Sequence, residues 1–320
     1  MPLRQILEEI RGGPRALIRS AAGRLRASYH RSRLRALGEE PTWVRVHGGF
    51  EMFIDPSDDL DRDFYLGTFD PAMLKIISRT VRKGDICIDI GAQKGYVSLT
   101  LAQSVGEKGR VLAFDADKRA AAKLVANIER ANQRVIEVYQ CALGEREGSC
   151  TFTLSKVLGW SSRFPNEQAR TAVEETVEVK VNSFDEMVAR KEISIDPRKV
   201  SFVKLDVEGS EPLVLKGMRK FLSTARPVLC VEVNHDSLSA AGSSPQELQI
   251  LLEELGFEIY EPEYHVYRRK LHLRPFGDLG VIKPSSGNCI VDIVALPKVI
   301  PPGLDGLARL ISKSSSSTKV

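Results

Sequence analysis

Five short apolar runs, most of them followed by a stretch with helical spacing, divide the middle of the chain. Ile86, Cys87, Ile88 and Ile90 form the first, without a polar face, as a strand covered on both sides in a parallel sheet requires. Tyr96 to Gln103 then carries the apolar spacing of a helix. Arg110 to Asp115 and Val135 to Gln140 predict two further strands, joined by a helix over Lys118 to Ala131. Val200 to Leu205 leads into an amphipathic stretch with Leu213, Val214, Leu215, Met218 and Phe221, and Val228 to Val233 is the fifth run. Strands alternating with helices predict an α/β domain built on a parallel sheet.

The flanks read differently. Trp43 to Ile54 predicts a small strand pair turning through His47-Gly48-Gly49, and Asp70 to Val81 a lead-in helix begun by Asp70 and Pro71. Thr151 to Leu154 and Thr176 to Val181 bracket a long polar loop containing Trp160, Ser161, Ser162 and Arg163, of the kind that serves as a lid or acceptor-binding segment or as a plain surface excursion. Gln246 to Leu255 predicts a helix stopped by Gly256. Phe257 to Tyr260 and Cys289 to Leu296 predict the last two strands, joined by a segment with Tyr264, His265, Tyr267, Arg268 and Arg269. The domain expectation is a basic arm over 1–40, a strand pair and lead-in helix over 41–80, a catalytic domain over 81–298 and a mobile tail over 299–320 that includes Ser314 to Ser317.

Charge refines this picture. Residues 1–40 hold nine arginines and four glutamates, a balance of +5 in a chain of net +4, so the remainder stands at −1. A catalytic region without basic excess argues against a nucleic-acid substrate, which needs phosphate-neutralising side chains. In the arm, Leu3, Ile6, Leu7 and Ile10, then Leu17, Ile18 and Leu25, recur at helical spacing between arginines. That pattern suits either a packing helix with a solvated arginine face or a helix lying on an anionic membrane. With no apolar run long enough to span a bilayer and no signal-peptide stretch, the expected location is the cytoplasm, with peripheral contact to the inner face of the membrane through the arm. The five cysteines lack paired spacing and read as buried thiols.

Candidate chemistry gathers at the strand ends. The first run carries Asp89 and breaks into a turn with Gly91 and Gly95, which would let a ligand approach the backbone and a helix N-terminus, or would simply make a tight connection. Asp115 lies 24 residues after Gly91, where nucleotide-binding units receive ribose hydroxyls; the alternative is a helix-capping turn, for which Asp117 is better placed. After the fourth run come Asp206, Glu208, Gly209 and Glu211. At period two, Lys204, Asp206 and Glu208 would share a face if the strand continued that far. Three carboxylates and a lysine this close cost stability unless they bind something. Helix capping accounts for Glu211 and Pro212 but not for Lys204 and Asp206. Glu232 and His235 close the fifth run, as site groups or as sheet and turn residues.

Read together, D-I-G-A-Q-K-G (Asp89 to Gly95), A-F-D (Ala113 to Asp115), F-V-K-L-D-V-E-G-S-E (Phe202 to Glu211) and R-P-V-L-C-V-E-V (Arg226 to Val233) resemble the FkbM family of S-adenosylmethionine-dependent methyltransferases over roughly Phe64 to Leu296. The resemblance implies a Rossmann-like class I methyltransferase fold, a seven-stranded, mainly parallel sheet with an antiparallel last strand. It implies S-adenosyl-L-methionine as cofactor, with Asp89, Gly91 and Gly95 around its methionine end, Asp115 on its ribose and Gln93 as a further cofactor-binding residue. It also implies O-methylation of a hydroxyl on a sugar, glycolipid or polyketide-like molecule. Gln93 stands where the family usually has Asn, and Asp115 where it usually has Glu. Candidate catalytic residues are Asp206, Glu208, Lys204 and His235, and candidate acceptor contacts Ser161, Ser162 and Glu232. Asp206, Glu208 and Glu232 could converge on a divalent cation, but no metal is assigned. The rival readings are a non-catalytic binding protein on the same scaffold, and a nicotinamide-dependent oxidoreductase, which Gly91-x-x-x-Gly95 fits poorly because the third glycine of that fingerprint is missing.

Overall fold

The computed structural model describes residues 13–265, 270–279, 290–299, 307 and 309–311. It contains two compact units, one reaching to Phe69 and the other starting at Asp70. The boundary expected after residue 80 lies further upstream, because the lead-in helix belongs to the second unit. In the first unit, helix α1 (Gly13–Leu37) precedes an antiparallel hairpin of β1 (Thr42–Arg45) and β2 (Glu51–Ile54), then helix α2 (Asp59–Leu66). The hairpin alternates as its pattern predicts. Met52 and Ile54 are fully buried, while Trp43 and Phe53 face each other across the strands, ring centroids 5.4 Å apart. Asp58 caps α2 by accepting the Leu60 and Asp61 N–H groups.

The second unit opens with α3 (Pro71–Thr80), capped by the Asp70 carboxylate. It then alternates β3 (Ile86–Ile90), α4 (Tyr96–Val105), β4 (Arg110–Phe114), α5 (Lys118–Arg130) and β5 (Ile136–Tyr139). A side sheet follows from β6 (Ala142–Leu143), β7 (Gly148–Ser155) and β8 (Val173–Asn182), with short α6 (Glu167–Thr171) in the loop between β7 and β8. Next come α7 (Phe184–Ala189), β9 (Val200–Leu205), α8 (Glu211–Gly217), α9 (Arg219–Ala225), β10 (Val228–Asn234), α10 (His235–Ala240) and α11 (Pro245–Glu254). Three strands complete the main sheet: β11 (Phe257–His265), β12 (Lys270–Pro275) and β13 (Ile290–Pro297).

The main sheet runs β5-β4-β3-β9-β10-β13-β11-β12. Neighbours from β5 to β10 pair in parallel, and β13 inserts antiparallel between β10 and β11. This is the class I methyltransferase order with one strand more than the seven expected. The eighth, β12, lies in the segment read as a connection. Its pattern is nevertheless that of a half-buried edge strand, with Leu271 and Leu273 buried between exposed Lys270, His272 and Arg274. Part of the expected mobile tail is held on this edge: Leu307 is fully buried, and the Leu310 carbonyl accepts the Leu273 N–H at 2.8 Å. Leu3, Ile6, Leu7, Ile10, Tyr267, Arg268, Arg269, Cys289 and Ser314 to Ser317 fall outside the described residues. Cys87, Cys141, Cys150 and Cys230 are buried free thiols, and no described helix is long and apolar enough to cross a membrane.

Burial of Ile88, Ile90, Leu112, Phe114, Val203, Leu205, Val231 and Ile293 explains the lack of a polar face in the central strands. Helices cover both faces, which leaves the carboxyl ends of β3, β4, β9 and β10 as the place where polar groups collect.

Candidate active site

The turn after β3 is shaped by its own packing. Gly91 adopts φ 79°, and the Gly91 and Ala92 N–H groups both donate to the Phe114 carbonyl at 2.9 and 3.0 Å. A Cβ on Gly91 would lie 1.8 Å from the Asp206 carbonyl oxygen, and one on Gly95 would lie 2.3 Å from Leu124 Cδ1. Glycine is needed at 91 for packing in its own right, because the β3 turn and the β9 turn touch. Between them, Gln93 holds a left-handed backbone, φ 49°, and donates its N–H to Asp115 Oδ2 at 2.7 Å. Asparagine adopts that conformation more readily, so Gln93 strains a turn that the usual family residue relaxes.

Asp115 binds two turns at once. Its Oδ1 accepts the Asp117 N–H at 2.9 Å, while Asp117 itself caps α5 through the Arg119 N–H. The capping role therefore falls to Asp117, and each Asp115 oxygen keeps a lone pair for a further donor such as a ribose hydroxyl. Burial pushes the Asp115 carboxyl up to about 6, against the N–H groups of Gln93 and Asp117, so it is ionised at neutral pH.

Beneath the turn lies Lys204 on β9. Burial disfavours its charge, but Asp206 and Asp89 outweigh this and raise its pKa, so the ammonium is permanently charged and cannot accept a proton. Nζ donates to the Gly91 carbonyl at 2.7 Å and lies 3.0 Å from Asp206 Oδ2 and 3.8 Å from Asp89 Oδ1. Lys204 is thus a fixed counter-ion, not the catalytic acid–base group its place in the motif suggested. Asp89 has no exposed surface; Ser98 donates to its Oδ2 at 2.5 Å, and its Oδ1 has no hydrogen-bond partner. It supports the turn from below and does not line it.

The strand does not continue to Glu208 as period two would need. β9 ends at Leu205, and Glu208 turns away with φ 51°. That turn brings together residues far apart in sequence, since one carboxylate oxygen each of Asp206, Glu208 and Glu232 lie within 4.8 Å of one another. Glu208 Oε2 accepts the Ser237 hydroxyl at 2.8 Å and the Asn234 amide at 3.4 Å. Burial, then the Asp206 charge, pushes its carboxyl up to about 8 against the Ser237 hydrogen bond. Burial, then Asp206 and Glu208, holds Glu232 well above the ordinary carboxylate range. Glu232 sits inside the sheet on β10, opposite Asp292 of β13, and is no edge group.

Glu211 staples the same turn from within. Its Oε1 accepts the Val207 and Gly209 N–H groups at 3.0 and 3.3 Å, and the buried Oε2 has no partner. Burial pushes its carboxyl up to about 7. A raised carboxyl favours folding most below the unfolded value near 4.5 and loses that contribution as pH climbs through about 7. Glu211→Gln should therefore flatten stability between about pH 5 and pH 8 by about 2 to 3 kcal/mol, read from denaturant midpoints at the two pH values. An unchanged pH slope would show that burial does not raise the Glu211 carboxyl in the folded protein.

The loop residues do other work than expected. Ser161 Oγ donates to Asp117 Oδ2 at 2.8 Å and accepts the Ser155 N–H, and Ser162 Oγ, buried, donates to the Glu208 carbonyl at 3.0 Å. Both hydroxyls fasten the loop to the two acidic turns. His235 begins α10 with Nδ1 3.2 Å from Asp236 Oδ1, while Asn234 caps that helix through the Asp236 and Ser237 N–H groups. Ser98, Asn234 and Ser237 were missed. The capping pattern Asn234-x-x-Ser237 was the one signal pointing at two of them.

The donor set fits S-adenosylmethionine: Asp115 offers acceptors to a diol, and the oxygen acceptors of Asp206, Glu208 and Glu232 suit the neighbourhood of a cationic sulfonium. Residues 89–259, more than half of the chain, match the family model described as the methyltransferase FkbM domain. Over 182 residues the chain is 28% identical to hexuronic acid methyltransferase AglP of Haloferax volcanii, spanning 57% of this chain and 67% of that one. Among solved structures, methyltransferase FkbM from Methylobacillus flagellatus KT gives a TM-score of 0.40 at 18% identity, covering 75% of this chain and 55% of that one. A SAM-dependent methyltransferase from Aquifex aeolicus also gives 0.40, at 15% identity, covering 75% and 94%. The chain belongs to the FkbM methyltransferase family, and its activity is methyl transfer from S-adenosylmethionine, neither nicotinamide redox chemistry nor binding alone.

Proposed function

We propose that the methyl group goes to a hydroxyl oxygen of a sugar, glycolipid or polyketide-like small molecule. The observation that carries this reading is the cluster of Asp206, Glu208 and Glu232 at adjacent strand ends, with Glu208 titrating at about 8, near the working pH where a general base is most effective. When bound, the cofactor supplies an activated methyl on a sulfonium. Asp115 accepts the ribose hydroxyls, and the turn from Gly91 to Gly95, with Gln93, faces the methionine end. Asp206 and Glu208 orient the acceptor hydroxyl. As the acceptor oxygen takes that methyl group, its hydroxyl proton would pass to Glu208. Glu232 faces the acceptor, Lys204 acts through Asp206, and His235 is the alternative base.

The likeness to a hexuronic acid methyltransferase supports a sugar acceptor. A uronic acid offers both hydroxyls and a carboxylate; a carboxylate needs no base to take a methyl group, whereas the raised Glu208 carboxyl suits a hydroxyl that must lose its proton. Incubation with methyl-labelled S-adenosylmethionine and a panel of uronic acids, neutral sugars and phenols tests the reading. The expected product on a sugar is an ether that survives mild alkali. Release of the label by alkali would indicate a methyl ester and overturn the hydroxyl assignment; label on phenols alone would overturn the sugar.

A further inference from the structure

Helix α1 carries large apolar side chains away from the side on which it packs. Its residues from Leu25 on show which face meets the first unit: His30, Arg33 and Leu34 are half-buried and Leu37 is buried, with the Arg33 guanidinium 4.2 Å above the Tyr65 ring. At about 100° per residue these four share one side of the helix. Leu25, Tyr29 and Ala36 form a second apolar arc outside that side, and all are exposed, Leu25 at 73% and Tyr29 at 57%. A helix that only packs leaves such positions polar; this one turns Leu25 and Tyr29 outward.

Arginines border that arc. Exposed Arg26 falls on the flank nearer the packed side, where Arg33 is held on Tyr65, and exposed Arg31 and Arg35 lie beyond Ser28 and Ser32 on the other. The whole helix holds seven arginines and no acidic residue. We infer that the outward face of α1 docks on an anionic lipid surface, lying parallel to it. The apolar arc enters the headgroup boundary, while the flanking arginines reach lipid phosphates on long aliphatic stems. A nucleic acid would use the arginines and leave Leu25 and Tyr29 without a partner. A second copy of the helix would set seven arginines against seven.

Flotation of the full chain with phosphatidylcholine vesicles, with and without phosphatidylglycerol, tests this. Binding is expected only with the anionic lipid and should weaken as salt is raised. Arg31→Gln with Arg35→Gln should lower the partition coefficient about 30-fold, the scale for two basic residues at such a surface. Leu25→Glu with Tyr29→Glu should abolish flotation. All four positions are exposed, so the melting temperatures should not change. Equal binding to neutral vesicles, no flotation of the unaltered chain, or flotation unchanged in both double variants would overturn the inference. So would arginine-dependent binding to an RNA duplex without vesicle binding, or a dimer in solution that Leu25→Glu disperses.

Discussion

Glu208→Gln is expected to lower turnover about 100-fold or more with cofactor affinity retained, the usual scale for a positioned acid–base group. The amide keeps the shape and an oxygen to accept the Ser237 hydroxyl, now 2.8 Å away, so the loss falls on proton transfer and not on folding. The unaltered enzyme should gain activity as pH rises to about 8, because a base must be unprotonated and Glu208 titrates there. Asp206→Asn should also reduce turnover and, by removing a neighbouring negative charge, should move the inflection to lower pH. The two losses should not add, since both groups act on one acceptor. Single-turnover rates across pH, with an acceptor found by label transfer, provide the measurement. Full turnover in both variants would leave the cluster a turn-building device and move the base to His235.

The second large effect is structural. Gly91→Ala should cost more than about 4 kcal/mol, the range reserved for a named core defect, because its Cβ would lie 1.8 Å from the Asp206 backbone carbonyl. Backbone cannot rotate aside as a flexible side chain can. Gly84 offers the control: it too is left-handed, φ 89°, but a Cβ there meets nothing within 4 Å. Gly84→Ala should therefore cost only about 1 to 2 kcal/mol of conformational strain. Melting temperatures of the two variants side by side decide the matter, and near-equal values would show that the β3 and β9 turns separate freely. A lesion at Gly91 thus reports on folding, and loss of cofactor binding there would say nothing about ligand contact.

The sequence by itself determined the sheet and the family. Central strands buried on both faces are mostly apolar, so Ile86 to Ile90, Val200 to Leu205 and Val228 to Val233 show themselves without any tertiary information, and their few charged residues, Asp89, Lys204 and Glu232, with Asp206 just beyond the second run, gather toward the carboxyl edge where ligands of such sheets bind. Asp117, not Asp115, as the cap of α5 was also legible, because capping is local chemistry. Edge strand β12 was legible in its alternation but was hidden by its place in a presumed connection.

Tertiary structure decided what depends on residues distant in the chain. Whether Gly91 makes room for a ligand or for the Asp206 carbonyl depends on how closely two turns approach, and no local spacing encodes that distance. Ser161 and Ser162 read as free hydroxyls until folding places Asp117 and the Glu208 carbonyl beside them. Lys204 stays charged at a buried site only because folding sets Asp89 and Asp206 beside it, their charges outweighing the cost of burial. The direction of the α1 arc was likewise undecided by periodicity, which fixes that an arc exists but not which side of the helix the rest of the unit takes.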